Sequence, residues 1–249
     1  MSQSAATDSA ISSPSTKPPT SSSLLPPRPG PLSTVRTLQL ADYITLLNGF
    51  SGLMSIQSSL RYCISFPCTT ATAGSATAGS PHYLWFALVW IPLGLFFDFM
   101  DGRVARWRGK GAGSALGQEL DSLADLISFG VAPAACAFAM GMRSGVDGVV
   151  LAFFVLCGLL RLARFNVSVG DVPKDAKGKS MYFEGLPIPS SLGIVGGMAS
   201  LLFLGLVGEE RLPLGVLGEG EVWEFHAVGF VFVVWGCLMT SRRLRVPKP

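Results

Sequence analysis

A chain of 249 residues with 49% hydrophobic and only 14% charged residues, and a mean hydropathy of +0.47, is too greasy for a soluble domain of its size. A net charge of +3 is too small to argue for a nucleic-acid partner, and the five cysteines form no CxxC pair and no metal-ligand spacing with His82 and His226. Nucleic-acid binding and cysteine-held metal are thereby set aside in favour of a polytopic membrane protein.

Residues 1–37 are rich in Ser, Thr and Pro with almost no apolar run, so they read as a disordered tail that cannot bury enough surface to offset the entropy of ordering. From there to residue 241 the chain reads as one membrane domain, followed by a short basic tail over 242–249. Six apolar segments recur, roughly Ala41 to Ser58, His82 to Met100, Leu116 to Met140, Val146 to Phe165, Leu186 to Val207 and Val222 to Thr240. Each is close to the roughly 20 residues that a helix needs to cross a hydrocarbon core of about 30 Å, which predicts an all-α bundle of six transmembrane helices. Cys63 and Cys68 share the loop after the first segment and could pair there in an oxidising compartment. Pro92 and Pro133 predict local kinks, and Gly49, Gly52, Gly193, Gly196, Gly197 and the small residues from Ala132 to Ala139 predict close helix contacts.

Sixteen of the nineteen Lys and Arg fall in the first tail, the second and fourth connections and the final tail; Arg61, Arg143 and Arg211 occupy the alternate loops. By the positive-inside rule this places both termini in the cytoplasm. An even number of spans is consistent with that alternation.

The polar edges of the second and third segments carry four carboxylates, Asp98, Asp101, Asp121 and Asp125. Spacings of three and four residues put each pair on one helix face, and a short connection makes the two helices antiparallel neighbours. Four such acids repel one another unless a cation sits among them, and hard oxygen donors suit Mg²⁺, Mn²⁺ or Ca²⁺. The connection adds Arg103, Arg106, Arg108 and Lys110 among glycines 102, 109, 111 and 113, a setting for phosphate. Acids for metal beside bases for phosphate point to metal-assisted phosphoryl or phosphatidyl transfer, against the plainer reading of a loop ion-pair network.

These residues resemble the CDP-alcohol phosphatidyltransferase family, whose signature DxxDGxxARx8GxxxDxxxD is matched in order by Asp98, Asp101, Gly102, Ala105, Arg106, Gly117, Asp121 and Asp125. One departure is visible: ten residues, not eight, separate Arg106 from Gly117. The resemblance implies that family's membrane fold, a divalent metal, Mg²⁺ or Mn²⁺, held by Asp98, Asp101, Asp121 and Asp125, and Asp125 as the base. It implies a CDP cradle of Gly102, Ala105, Arg106 and Gly117. Asn48 is similar to a polar residue that family members place near the nucleotide, although helix packing explains a lone Asn equally well.

The blocks LADYITLLNGFSG, GQELDSLADLISFGVAPA, LCGLLRLARFNV and YFEGLPIPSSLG resemble the eukaryotic, especially fungal, serine-accepting members. That resemblance implies transfer of the phosphatidyl group from CDP-diacylglycerol to the L-serine hydroxyl with release of CMP, an endoplasmic reticulum membrane location and a homodimer. Arg161 and Arg164 could clamp the serine carboxylate, or merely snorkel to headgroups; with the resemblance, Arg164 and Phe165 are expected in the serine pocket, with Asn166 beside them. Inositol or glycerol 3-phosphate as acceptor, helped by Lys174, Lys177 and Lys179, and a divalent-cation transporter are the alternatives. A transporter predicts acids along several segments, whereas these gather at one edge.

Overall fold

A computed structural model describes residues 38–65, 81–107, 115–171, 182–209, 211–218, 223–241 and 245–247. The first tail, Cys68, Arg108, Lys110 and glycines 109, 111 and 113 of the basic connection, and Lys174, Lys177 and Lys179 lie outside the described residues.

The fold is an all-α membrane helix bundle. Its helices are α1 (Leu40–Ser65), α2 (His82–Trp107), α3 (Ala115–Asp125), α4 (Ala132–Met140), α5 (Gly145–Asp171), α6 (Leu192–Phe203) and α7 (Gly229–Thr240). A π-helical turn, Leu126–Val131, joins α3 to α4 into one rod, and a short 3₁₀ turn, Ile188–Ser191, leads into α6. Among the described residues three helices are long and apolar enough to cross a membrane: His82–Trp107, Leu116–Met140 and Gly145–Val167. Helix α1 has the length, 26 residues, but a different surface. Its buried positions are mostly polar, Asp42, Thr45, Asn48, Ser51, Ser55, Ser58 and Ser59 with Gly52 and Tyr62, while Leu46, Leu47, Phe50, Leu53 and Leu60 face outward. That is a water-soluble helix turned inside out, which only a lipid surround makes favourable.

Two of the six expected segments are shorter as helices than as apolar runs. The fifth begins its helical course only at Ile188, after the extended Pro187, and ends at Phe203; Gly185 before it holds φ +81 and runs against the carbonyl of Met239, an approach closed to any residue with a Cβ. The sixth, expected from Val222, becomes helical only at Gly229. Phe225–His226 pairs instead with Val216–Leu217 as two short antiparallel strands. Twelve helical residues rise only about 18 Å, short of a full hydrocarbon core. Within the basic tail, Arg245–Pro247 pairs antiparallel with Tyr182–Glu184.

The two prolines act differently. Pro92 lies inside α2, which continues through it. Pro133 stands in the first turn of α4, and the turn before it is widened so that the Ala132 N–H reaches Ile127 O, five residues back. A proline ring clashes with the carbonyl four residues upstream, here that of Phe129, and a π turn relieves the clash without breaking the rod. The widened turn begins immediately after Asp125.

At one end of the bundle Ser144 and Asp147 form a capping box for α5, Ser144 N–H donating to Asp147 Oδ2 at 3.2 Å and Asp147 N–H to Ser144 Oγ at 3.0 Å. Asp147, fully buried, also accepts from the His226 backbone N–H at 3.0 Å and meets its Nδ1 at 2.6 Å. The other ring nitrogen of His226 lies 3.1 Å from Glu209 O. The α4–α5 and α6–α7 connections are thus tied together at the end of α5 opposite to Arg161 and Arg164.

Candidate active site

The carboxylates Asp98, Asp101, Asp121 and Asp125 converge where the C-terminal turns of α2 meet the second half of α3. Asp98, Asp101 and Asp121 each offer an oxygen within 4.8 Å of the others'. Two ligands on one ion lie at most about 4–5 Å apart, twice a metal–oxygen distance, so this set spans one divalent coordination shell. Asp121 Oδ1 is buried without a hydrogen-bond partner among the described residues. An orphaned anionic oxygen in a cluster of acids is what a bound cation would satisfy, and an all-oxygen donor set suits a hard divalent ion. The residues present therefore fit the metal.

Asp125 stands beside this trio. It is 9% exposed, feels the charges of Asp98, Asp121 and Asp101, and accepts from Asn48 Nδ2 at 3.0 Å on Oδ1. Asp101, 7% exposed, accepts from Thr45 Oγ1 at 2.6 Å. Both donors lie on α1, which can come this close because Gly52 meets the π turn at Ser128, and Gly49 meets Ala124. A Cβ on Gly52 would stand 2.7 Å from Ser128 Oγ and 2.8 Å from Ser128 Cα. Ser128 Oγ in turn donates to the Asn48 carbonyl at 2.8 Å.

The expected CDP cradle borders the trio on two sides. Gly102, Ala105 and Arg106 occupy the last turns of α2 and Gly117 the first turn of α3. The Arg106 guanidinium folds back over Gly102, within 3.8 Å of where a Cβ would stand, and remains exposed. Asn48, by contrast, is fully buried between Asp125, Gly94 and Ser128.

The two arginines of α5 part company. Arg161 turns inward, its Nε buried without a partner among the described residues, and it feels the charge of Asp125. Arg164 Nη1 donates to the carbonyl of Thr240, the last residue of α7, at 3.1 Å. Phe165 is 39% exposed beside it. Asn166 bridges to α3, accepting from Ser122 Oγ at 3.2 Å and facing Gln118 and Glu119 at 3.5 Å.

Thr45 and Ser128 were not singled out from sequence. Thr45 had a signal, since Asp42, Thr45, Asn48, Ser51, Ser55 and Ser59 recur at three- and four-residue intervals within an apolar segment. Ser128 had none, because its role depends on the π turn. The assembled site can hold a divalent cation against three carboxylates, present a fourth as proton acceptor, and add the cations Arg106, over Gly102, and Arg161, turned inward from α5.

A family model described as CDP-alcohol phosphatidyltransferase matches residues 38–240. The chain is 52% identical over 218 residues to the CDP-diacylglycerol–serine O-phosphatidyltransferase of Saccharomyces cerevisiae, covering 87% of this chain and 73% of that one. It is 34% identical over 153 residues to the archaetidylserine synthase of Methanothermobacter thermautotrophicus, covering 61% and 54%. With the CDP-diacylglycerol–serine O-phosphatidyltransferase of Bacillus subtilis it shares 38% identity over 110 residues, 43% of this chain and 56% of the relative. It thus spans most of the yeast protein and just over half of the other two.

Proposed function

The chain belongs to the CDP-alcohol phosphatidyltransferase family, and from that premise we propose that it makes phosphatidylserine by transferring the phosphatidyl group of CDP-diacylglycerol to the hydroxyl of L-serine. The observation that carries the chemistry is the convergence of Asp98, Asp101 and Asp121 with Asp125 adjacent and held by an amide. The acceptor assignment rests on the yeast relative and on Arg161, which turns inward and feels the charge of Asp125.

In this reading Asp98, Asp101 and Asp121 hold a divalent ion, Mg²⁺ or Mn²⁺, with Asp125 at its edge. When bound, the ion supplies charge for the donor's pyrophosphate and for the departing phosphate. Gly102, Ala105, Arg106 and Gly117 cradle the CDP group, Arg106 offering a planar pair of donors to phosphate oxygen. Arg161 takes the serine carboxylate, with Arg164 and Phe165 completing the pocket. Asp125, one oxygen engaged by Asn48, accepts the serine hydroxyl proton on the other. The serine oxygen forms a bond to the phosphorus bearing diacylglycerol, and the bond from that phosphorus to the CMP oxygen breaks, its electron pair leaving with CMP. No covalent enzyme intermediate is needed.

The charge asymmetry of the loops supports a cytoplasmic site with both termini on that side. Resemblance to eukaryotic members supports residence in the endoplasmic reticulum and a homodimer. A cation transporter is disfavoured by acids that gather at one end of the bundle.

The test is purified protein in liposomes containing CDP-diacylglycerol, given labelled serine, inositol or glycerol 3-phosphate with and without Mg²⁺ or Mn²⁺. Phosphatidylserine formed only with metal is the expected product. Formation of a different lipid would overturn the acceptor, and turnover without metal would overturn the site.

A further inference from the structure

Helix α1 carries none of the acids or arginines assigned above, yet two of its side chains reach into the acidic cluster. We infer that Thr45 and Asn48 are positioning residues for the reaction, Thr45 orienting the metal-facing carboxylate of Asp101 and Asn48 the proton-accepting carboxylate of Asp125. This rests on the reading of Asp101 as metal ligand and Asp125 as base.

Neighbouring hydroxyls on α1 show what unremarkable behaviour looks like. Ser51, Ser58 and Ser59 donate back to Leu47 O, Met54 O and Ser55 O, each four residues upstream on their own helix. Local back-bonding of this kind is the ordinary resting place of a buried helical hydroxyl. Thr45 has the same option, Ala41 O at 3.1 Å, but a hydroxyl has one proton and Asp101 Oδ2 stands nearer, at 2.6 Å. That is the length of a charge-assisted O–H···O⁻ bond, which outcompetes the longer neutral one.

Asn48 is more constrained still. A carboxylate accepts only, so Asp125 fixes which end of the amide faces it: Nδ2 donates at 3.0 Å. Oδ1 is then turned toward Gly94 and is buried without a partner among the described residues. A Cβ at position 94 would come within 2.9 Å of it. A fully buried amide that leaves its own oxygen unsatisfied is poor packing material, and an aliphatic side chain would fill the space at lower cost. What the amide gains is a fixed Asp125. The backbone beneath it is fixed too, since Ser128 Oγ, from the turn that follows Asp125, donates to Asn48 O at 2.8 Å.

The two residues are one turn apart and serve different carboxylates, so their removal should separate by readout. Thr45→Val is expected to weaken Mn²⁺ binding about tenfold, the usual scale for losing a partner that orients a metal ligand, measured by electron paramagnetic resonance of the free ion on protein without substrate. Thr45→Ser, which restores the hydroxyl, should recover most of that loss. Asn48→Leu is expected to lower kcat by about tenfold to a hundredfold while leaving Mn²⁺ affinity, CMP affinity and the KM for CDP-diacylglycerol near their wild-type values. Should that variant not fold, Asn48→Ser carries the same test, being too short to reach Asp125. Ser51→Ala is the control and should leave all four quantities unchanged.

Wild-type Mn²⁺ affinity after Thr45→Val, or a serine variant no better than the valine, would overturn the role of Thr45. A loss of CMP and donor affinity matching the loss of kcat in the Asn48 variants would make Asn48 a nucleotide contact instead. If wild-type protein binds no Mn²⁺, if Asp101→Asn binds it normally, or if Asp125→Asn stays active, then the site reading itself fails. With those three controls as expected, indifferent Thr45 and Asn48 variants refute only the present inference.

Discussion

Replacing Gly52 by alanine adds one methyl at the tightest crossing near the site. The added carbon would stand 2.7 Å from Ser128 Oγ, 2.8 Å from Ser128 Cα and 2.9 Å from Ile127 Cγ2. Ordinary carbon contacts are about 3.5–4.0 Å, so α1 and the π turn must separate by roughly 1 Å, and a backbone atom cannot rotate out of the way. Overpacking of this size costs about 1–3 kcal/mol, a fall in melting temperature of roughly 2–12 °C for a chain of this length. The larger effect falls on catalysis. Asn48 is four residues before Gly52, and Asp125 three before Ser128, so the same separation stretches their 3.0 Å bond toward 4 Å. A displacement of about 1 Å at reacting groups is worth on the order of a hundredfold in rate. The assay is phosphatidylserine formation per folded protein in liposomes, alongside thermal unfolding followed by helical circular dichroism. Gly196→Ala is the control, since no heavy atom lies within 4 Å of its added carbon. Equal activity and equal melting temperature for the two alanine variants would refute the reasoning.

Other outcomes follow from the same contacts. Asp125→Asn should abolish transfer while CMP binding persists; retained turnover would remove Asp125 as the base. Arg161→Ala should raise the KM for serine by about tenfold or more, the scale of a lost charged hydrogen bond, with the KM for CDP-diacylglycerol unchanged. Arg164→Ala should add a fall in melting temperature, because the Thr240 carbonyl at the end of α7 loses its donor; a serine effect without any thermal effect would contradict that anchor. His226→Leu leaves the fully buried Asp147 without its ring partner and should destabilise by about 3 kcal/mol. Its kcat per folded molecule should stay at the wild-type value, since Asp147 and Arg164 lie 17 residues apart on α5, about 26 Å. Loss of kcat at full stability would mean that the far end reaches the site.

The apolar runs and the acid spacings were legible in the sequence because each is a local, periodic property. Asp98 and Asp101 face one way on α2, Asp121 lies on the next helix, and their meeting follows from a short connection. What sequence could not give was the register between helices. The contact of Thr45 with Asp101 spans 56 positions and that of Asn48 with Asp125 spans 77, and both depend on two glycines letting α1 approach a π turn. The π turn itself arises where Pro133 meets its upstream carbonyl, which the sequence marks only as a kink. The late start of α7 was masked for a related reason: the residues before Gly229 are apolar enough to pass for helix, but His226 is claimed by Asp147. Arg161 and Arg164 look alike as flank residues, and only the position of the Thr240 carbonyl separates them.

Serine labelled with ¹⁸O in its hydroxyl tests the proposed transfer most directly. Supplied with CDP-diacylglycerol and Mn²⁺, the protein should form phosphatidylserine that keeps the label in its phosphate ester, with one unlabelled CMP released for each lipid made and none without serine. Label lost from the lipid, or CMP released in the absence of serine at the same rate, would contradict attack by the serine oxygen on the diacylglycerol-bearing phosphorus.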